Sequence, residues 1–176
     1  MKFSAQEEYG LRCLLRIAKA DSENGLTIPE ISALEGLSQA NTAKILRILR
    51  LGGFIESERG QLGGYKLRMK PEEIIISDVL NQLGGKLFDN SFCTDYSGTE
   101  NICTHDINCS VRSLWRIIQN VLDSVLSRTT LRDLTGSENH VSDFLQNLSE
   151  EAISDFSRLK SDTLNFSHEL KSRLNN

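Results

Sequence analysis

Residues 27–67, TIPEISALEGLSQANTAKILRILRLGGFIESERGQLGGYKL, constrain the fold of this 176-residue chain more than any other stretch. Thr27 is placed to cap a short helix with Pro29 in its first turn, where the missing N–H costs nothing, and Ile31 and Leu34 supply its apolar side. Gly36 provides a turn, and Ser38 caps a further helix reaching about Leu51. In that helix Ile45, Leu46 and Leu49 recur at helical spacing and face inward. Gln39, Ala40, Asn41, Ala43, Lys44 and Arg47 remain for solvent or a partner. Gly52-Gly53 stops the helix. Phe54 to Ser57 and Tyr65 to Arg68 then read as two strands around a glycine-rich tip that carries Arg59 and Gln61. A helix-turn-helix pair alone fits any helical bundle. Followed at once by a basic-tipped hairpin it predicts a winged helix, in which the second helix of the pair enters the major groove of duplex DNA and the wing meets backbone or minor groove.

Charge is compatible with that expectation only locally. The net formal charge is −4, but residues 1–70 hold 11 Lys and Arg against 8 Asp and Glu (+3), while residues 71–176 hold 9 against 16 (−7). The N-terminal part is therefore the one able to face phosphate. A helix from about Ser4 to Ala20 precedes the pair, with Leu11, Leu14, Leu15 and Ala18 on one side. Its start, MKFSAQEEYGLRCLLRIA, has no uninterrupted apolar run of the kind a signal peptide or membrane span needs, which predicts a cytoplasmic protein with no membrane partner. Cys13, among leucines, reads as a small buried apolar residue.

Three of the four cysteines fall inside FCTDYSGTENICTHDINCSV, with nine residues between Cys93 and Cys103 and five between Cys103 and Cys109. Gly98, Asn101, Asp95 and Asp106 give this stretch loop chemistry. In a reducing compartment such a cluster binds metal or senses redox state more often than it forms structural disulfides. Deprotonated thiolates suit an iron-sulfur cluster, zinc or cuprous copper. A fourth ligand must come from His105 or from a carboxylate such as Glu8. Catalysis by CTHDINC is not supported, because no nucleophile elbow, phosphate loop or dinucleotide fingerprint accompanies it.

The segment after the loop, from Ser110 to Arg128, carries Leu114, Ile117, Ile118, Val121, Leu122, Val125 and Leu126 as a broad apolar stripe. A stripe that wide suits the equivalent helix of a second copy, with packing on the winged helix as the alternative, and Trp115 reads as part of the same packing surface. From His140 onward the chain is polar and serine-rich but keeps Phe144, Leu145, Leu148, Ile153, Phe156, Leu159, Phe166 and Leu170 at loosely helical intervals.

The run LSQANTAKILRILRLGGFIESERGQLGGYKL, with its RGxxGGYxL wing at Arg59 to Leu67 and the three cysteines near residue 100, resembles the bacterial repressors that include IscR, NsrR, RirA and CymR. The resemblance covers about residues 1–135. It implies a homodimeric regulator bound to double-stranded operator DNA and, in members with these cysteines, an iron-sulfur cluster on Cys93, Cys103 and Cys109. It also marks Glu8 of the partner subunit as fourth ligand, since some members use an acidic residue near that position. Three departures stand out. Asn41-Thr42 replaces a common Tyr-Leu pair, Arg112 stands where IscR-like members place a histidine ligand, and the first inter-cysteine gap is wider, which leaves 2Fe-2S and 4Fe-4S both open.

The expected fold is mainly α with a small β-hairpin wing, a winged helix-turn-helix plus a long dimerisation helix. Its expected parts are a DNA-binding domain at 1–80, a sensor loop at 81–110, a dimerisation helix at 111–135 and a helical extension at 136–176. The DNA-binding set is Gln39, Ala40, Asn41, Ala43, Lys44, Arg47, Arg59, Gln61 and Lys66, and the metal set is Cys93, Cys103 and Cys109 with Glu8 or His105. The competing expectation is a zinc-bound or thiol-switch winged helix serving protein contact.

Overall fold

The computed structural model describes residues 4–20, 22, 24–58, 63–86, 88, 93, 103, 105 and 108–154. Helix α1 (Ala5–Ala18) begins at a reciprocal cap, in which Ser4 Oγ accepts from the Glu7 N–H and the Glu7 carboxylate accepts from the Ser4 N–H at 2.7 Å. Thr27 and Glu30 repeat the device at the start of α2 (Ile28–Glu35), and these hydrogen bonds hold the Glu30 carboxyl below the usual carboxylate range. Gly36 ends α2 at φ 67°, left-handed backbone that a side chain would strain. Ser38 then caps α3 (Gln39–Leu51) through the Asn41 N–H.

The wing follows as an antiparallel pair, β1 (Ile55–Ser57) and β2 (Tyr65–Leu67), with Ile55 opposite Leu67 and Ser57 opposite Tyr65. Its root is fixed from the other side. Leu26 and Tyr65 exchange backbone hydrogen bonds of 3.0 and 2.8 Å, so the link before α2 lies along β2. Gly64 permits that approach, because a Cβ there would sit 2.7 Å from the Asn24 carbonyl oxygen. The tip, with Arg59 and Gln61, lies outside the described residues.

Helix α4 (Ile76–Leu83) closes the domain behind α1 and α3. The core joins Cys13, Leu14 and Ile17 of α1, Ile31 of α2, Ile45, Leu46 and Leu49 of α3, Phe54 and Ile55 at the wing, and Ile76, Val79 and Leu83 of α4. Full burial of each Leu or Ile contributes about 1.5–3 kcal/mol. The expectation for α2 needs one correction: Leu34 is 51 % exposed, and Ser32 takes the inward place beside Ile31. Ser32 can do so because its hydroxyl donates to the Leu37 carbonyl, so no buried polar group is left unpaired.

Helix α5 (Ser110–Leu126) is about 25 Å long at 1.5 Å per residue. Its C-terminal end is tied to the winged helix: the Ile76 N–H donates to the Thr129 carbonyl (2.9 Å), the Leu131 N–H to the Ile74 carbonyl (2.8 Å), and Leu131 enters the core. A further helix, α6, runs through residues 138–154, where Leu148 and Ala152 are buried and Arg128 pairs with Glu151. Phe156, Leu159, Phe166 and Leu170 lie outside the described residues. Among the described residues no helix is long and apolar enough to cross a membrane.

Candidate nucleic-acid interface and cysteine cavity

Helix α3 separates its two faces cleanly. Thr42, Ile45, Leu46 and Leu49 are buried, while Gln39, Ala40, Lys44 and Arg47 are exposed and Asn41 and Ala43 are half-buried. Thr42 belongs to the core side, its hydroxyl donating to the Ser38 carbonyl at 3.1 Å, so the Asn41-Thr42 pair offers only Asn41 to a partner. Arg50, which the sequence-derived set omits, continues the exposed edge three residues beyond Arg47 and reaches Ser57 Oγ of the wing at 3.5 Å. Its spacing from Arg47 was the available signal. Lys66 is engaged within the wing by Glu58 and by Glu56 at 3.8 Å, and the Glu58 hydrogen bond holds its ammonium above the usual lysine range. A phosphate would have to compete with those carboxylates.

Glu8 is exposed on α1 and pairs with Arg12 at 3.5 Å. Arg12 and Arg16 in turn hold Glu35 at 3.2 and 2.7 Å, and the Glu35 side chain is only 5 % exposed, which locks α2 against α1. Cys13 is buried beside them. Burial first, and Glu35 second, push its thiol up to about 11, as suits an inert core residue rather than a reactive one.

The other three cysteines come together. Cys93, Cys103 and Cys109 line one cavity of about 180 Å³ with His105, Phe88, Val111, Arg112 and Trp115. Liquid water takes about 30 Å³ per molecule, so the cavity has room for more than a single ion. Cys109 is the N-cap of α5, its sulfur accepting from the Arg112 N–H at 3.3 Å. Among the described residues no three His, Cys, Asp or Glu side chains are drawn together tightly enough to hold one ion. The three thiols and the imidazole that line this space are donors suited to a thiolate-ligated metal group. His105 lines the cavity of its own chain, whereas Glu8 of the same chain does not. Trp115, expected on the packing stripe, also forms a wall of this cavity.

Along α5 the N-terminal part of the apolar stripe stands outside, while Ile118, Val121, Leu122, Val125 and Leu126 are half-buried. Val111, Leu114 and Ile117 are 57, 54 and 56 % exposed, and the one buried residue of the helix is Gln119.

The comparisons with known proteins agree with this architecture. The sequence model described as "Rrf2: Iron-dependent Transcriptional regulator" matches residues 3–137. The protein rrf2 of Nitratidesulfovibrio vulgaris is 31 % identical over 134 residues, covering 76 % of this chain and 87 % of the relative. Among solved structures, CymR, titled the global cysteine regulator of B. subtilis, aligns with TM-score 0.62 at 28 % identity, covering 77 % of this chain and 96 % of that one. IscR of T. potens aligns with TM-score 0.59 at 25 % identity, covering 76 % and 85 %. With the winged helix and the family match together, the chain belongs to the Rrf2 family of DNA-binding transcription regulators and is not an enzyme.

Proposed function

We propose that this regulator senses through an iron-sulfur cluster held by Cys93, Cys103 and Cys109, and that its affinity for operator DNA follows the state of that site. The observation that carries the reading is the shared cavity: residues ten and sixteen positions after Cys93 line the same space as Cys93 itself, at the N-terminus of a helix. Bound there, a cluster supplies a centre whose ligation responds to iron supply, oxygen or nitric oxide. The chain's own part is to present three sulfurs, to shield them with Phe88, Val111 and Trp115, and to provide a fourth ligand. That ligand is Glu8 of the partner subunit, with His105, already on the cavity, as the alternative within the chain.

Two copies are joined through the outer face of α5, where Val111, Leu114 and Ile117 form an apolar stripe that a second copy covers. Duplex DNA lies against α3, with Gln39, Asn41 and Lys44 at base edges, Ala40 and Ala43 near thymine methyl groups, and Arg47 and Lys66 at phosphate. Arg59 and Gln61 at the wing tip complete the contact. Solved relatives include both an IscR and a cysteine regulator, so the cluster reading rests on this chain's cysteines rather than on family membership.

The test is the visible absorption of anaerobically purified protein, with iron and acid-labile sulfide measured on the same sample. Brown protein with matching iron and sulfide, lost on Cys103→Ala, is expected. Colourless protein that carries zinc, or that takes up no iron on reconstitution, refutes the cluster and leaves a zinc or thiol-switch regulator.

A further inference from the structure

Gln119 is the one buried residue of α5, on a helix that leaves much of its apolar surface outside. Burying an amide is costly unless both of its ends are bonded, and both are. Its Oε1 accepts from the Phe88 N–H at 2.9 Å, and its Nε2 donates to Asp123 Oδ1 at 2.8 Å. The other oxygen of Asp123 takes the Lys86 ammonium at 3.2 Å. The segment that leaves α4 is thus pinned to α5 twice within three residues, at Lys86 and at Phe88.

These pins lie between two regions that must communicate. On one side Phe88 lines the cysteine cavity, together with Arg112 and Trp115 of the same helix. On the other, Lys86, Gln119 and Asp123 border a small cavity of about 40 Å³ that Ser77 and Leu80 of α4 close from the winged helix. Helix α4 packs directly on α3, the helix that faces DNA.

We propose that Gln119, with Asp123 and Lys86, is the positioning clamp that relays the state of the cysteine cavity to the winged helix. The inference rests on the cluster-sensing reading above. When the three cysteines are drawn together around a common group, Phe88 on the same cavity is held in place, and Gln119 keeps both partners. When they are released, a shift of Phe88 takes its N–H from a buried acceptor, and the seam between α5 and α4 adjusts. A satisfied buried polar network has few alternative geometries, so the relay has two arrangements rather than a continuum.

The experiment compares full-length wild type, Gln119→Leu and Lys86→Glu, each prepared with and without reconstituted cluster, for binding to a duplex selected from a random pool by the wild-type protein. Lys86 and Asp123 are solvent-accessible, so Lys86→Glu keeps the test valid if Gln119→Leu does not fold. Wild type is expected to show a ratio of roughly 5–150-fold between its two states, the ordinary range of allosteric coupling. Both variants should take up iron and sulfide with the wild-type spectrum, yet their ratio should fall to about one. A loaded variant that keeps the ratio within about twofold of wild type overturns the clamp alone. Variants that fail to load the cluster also overturn it, because the residues would then shape the cavity rather than relay its state. A wild-type ratio of one with a loaded cluster overturns the sensing reading and the clamp with it.

Discussion

Replacing Gly64 with alanine should loosen the wing at its root, and the structure allows the cost to be worked out. The new Cβ would lie 2.7 Å from the Asn24 carbonyl oxygen, 2.9 Å from the Gly25 carbonyl carbon and 2.9 Å from the Leu26 nitrogen. All three are backbone atoms, so no side chain can swing aside. Ordinary contact begins at 3.4 Å, and 3.4 minus 2.7 leaves 0.7 Å to be opened. Added to the Leu26–Tyr65 hydrogen bonds of 3.0 and 2.8 Å, that opening carries the first past the limit of useful geometry and the second to it. Overpacking costs about 1–3 kcal/mol, and the two weakened bonds about 0.5–1.5 kcal/mol each if lost. A total of about 2–6 kcal/mol lowers Tm by roughly 4–24 °C in a chain of this length. Gly36→Ala is the control: its Cβ meets nothing within 4 Å, and only the φ of 67° opposes it, at about 1–2 kcal/mol. Thermal and urea unfolding of both variants decide the matter. If Gly64→Ala unfolds no earlier than Gly36→Ala, the close approach of the two backbones does not govern the wing.

Cys13 stays protonated in the fold up to about 11, whereas an unfolded thiol ionises near 9, so its stabilisation is complete below pH 9 and lost as pH rises through 11. The loss should reach about 2–3 kcal/mol, and urea titrations of Cys13→Ala should show a flatter decline over that window; an equal slope would contradict it. Arg47→Ala should weaken duplex binding across sequences and reduce the slope of log affinity against log salt by about one, which a titration at several ionic strengths will read. Ile117→Asp places a charge in the exposed stripe of α5 and should yield a monomer by analytical ultracentrifugation; an unchanged dimer would move the subunit interface elsewhere.

Much of the winged helix was legible in the chain because its determinants are local. Ser4, Thr27 and Ser38 cap the helices expected of them, each through a residue three positions on. Gly36 ends α2 where a turn was anticipated, and Ile45, Leu46 and Leu49 face inward by periodicity alone. Leu34 shows the limit of that logic. Periodicity names two candidate faces on an eight-residue helix, and a serine hydroxyl with a carbonyl in reach can take the inner one. The cysteine site was legible as a cluster of residue types but not as a cavity with walls. Phe88 and Trp115 stand five positions before Cys93 and six after Cys109, with no spacing rule to connect them. Gln119 was hidden for a related reason, since a glutamine on an apolar helix gives no sign of burial until its two partners are known.

By itself, then, the sequence determined which segments become helix, turn and hairpin, because caps, glycines and apolar spacing act within a few residues. It also determined that three thiols and an imidazole fall within seventeen residues of one another. The tertiary structure decided what no local rule reaches. It brought Cys93, Cys103 and Cys109 to a common space and tied the end of α5 to the start of α4. It also left Val111, Leu114 and Ile117 outside while drawing Gln119 in. The tie between α5 and α4 and the burial of Gln119 rest on backbone groups far apart in the chain finding their hydrogen-bond partners, which no local rule supplies.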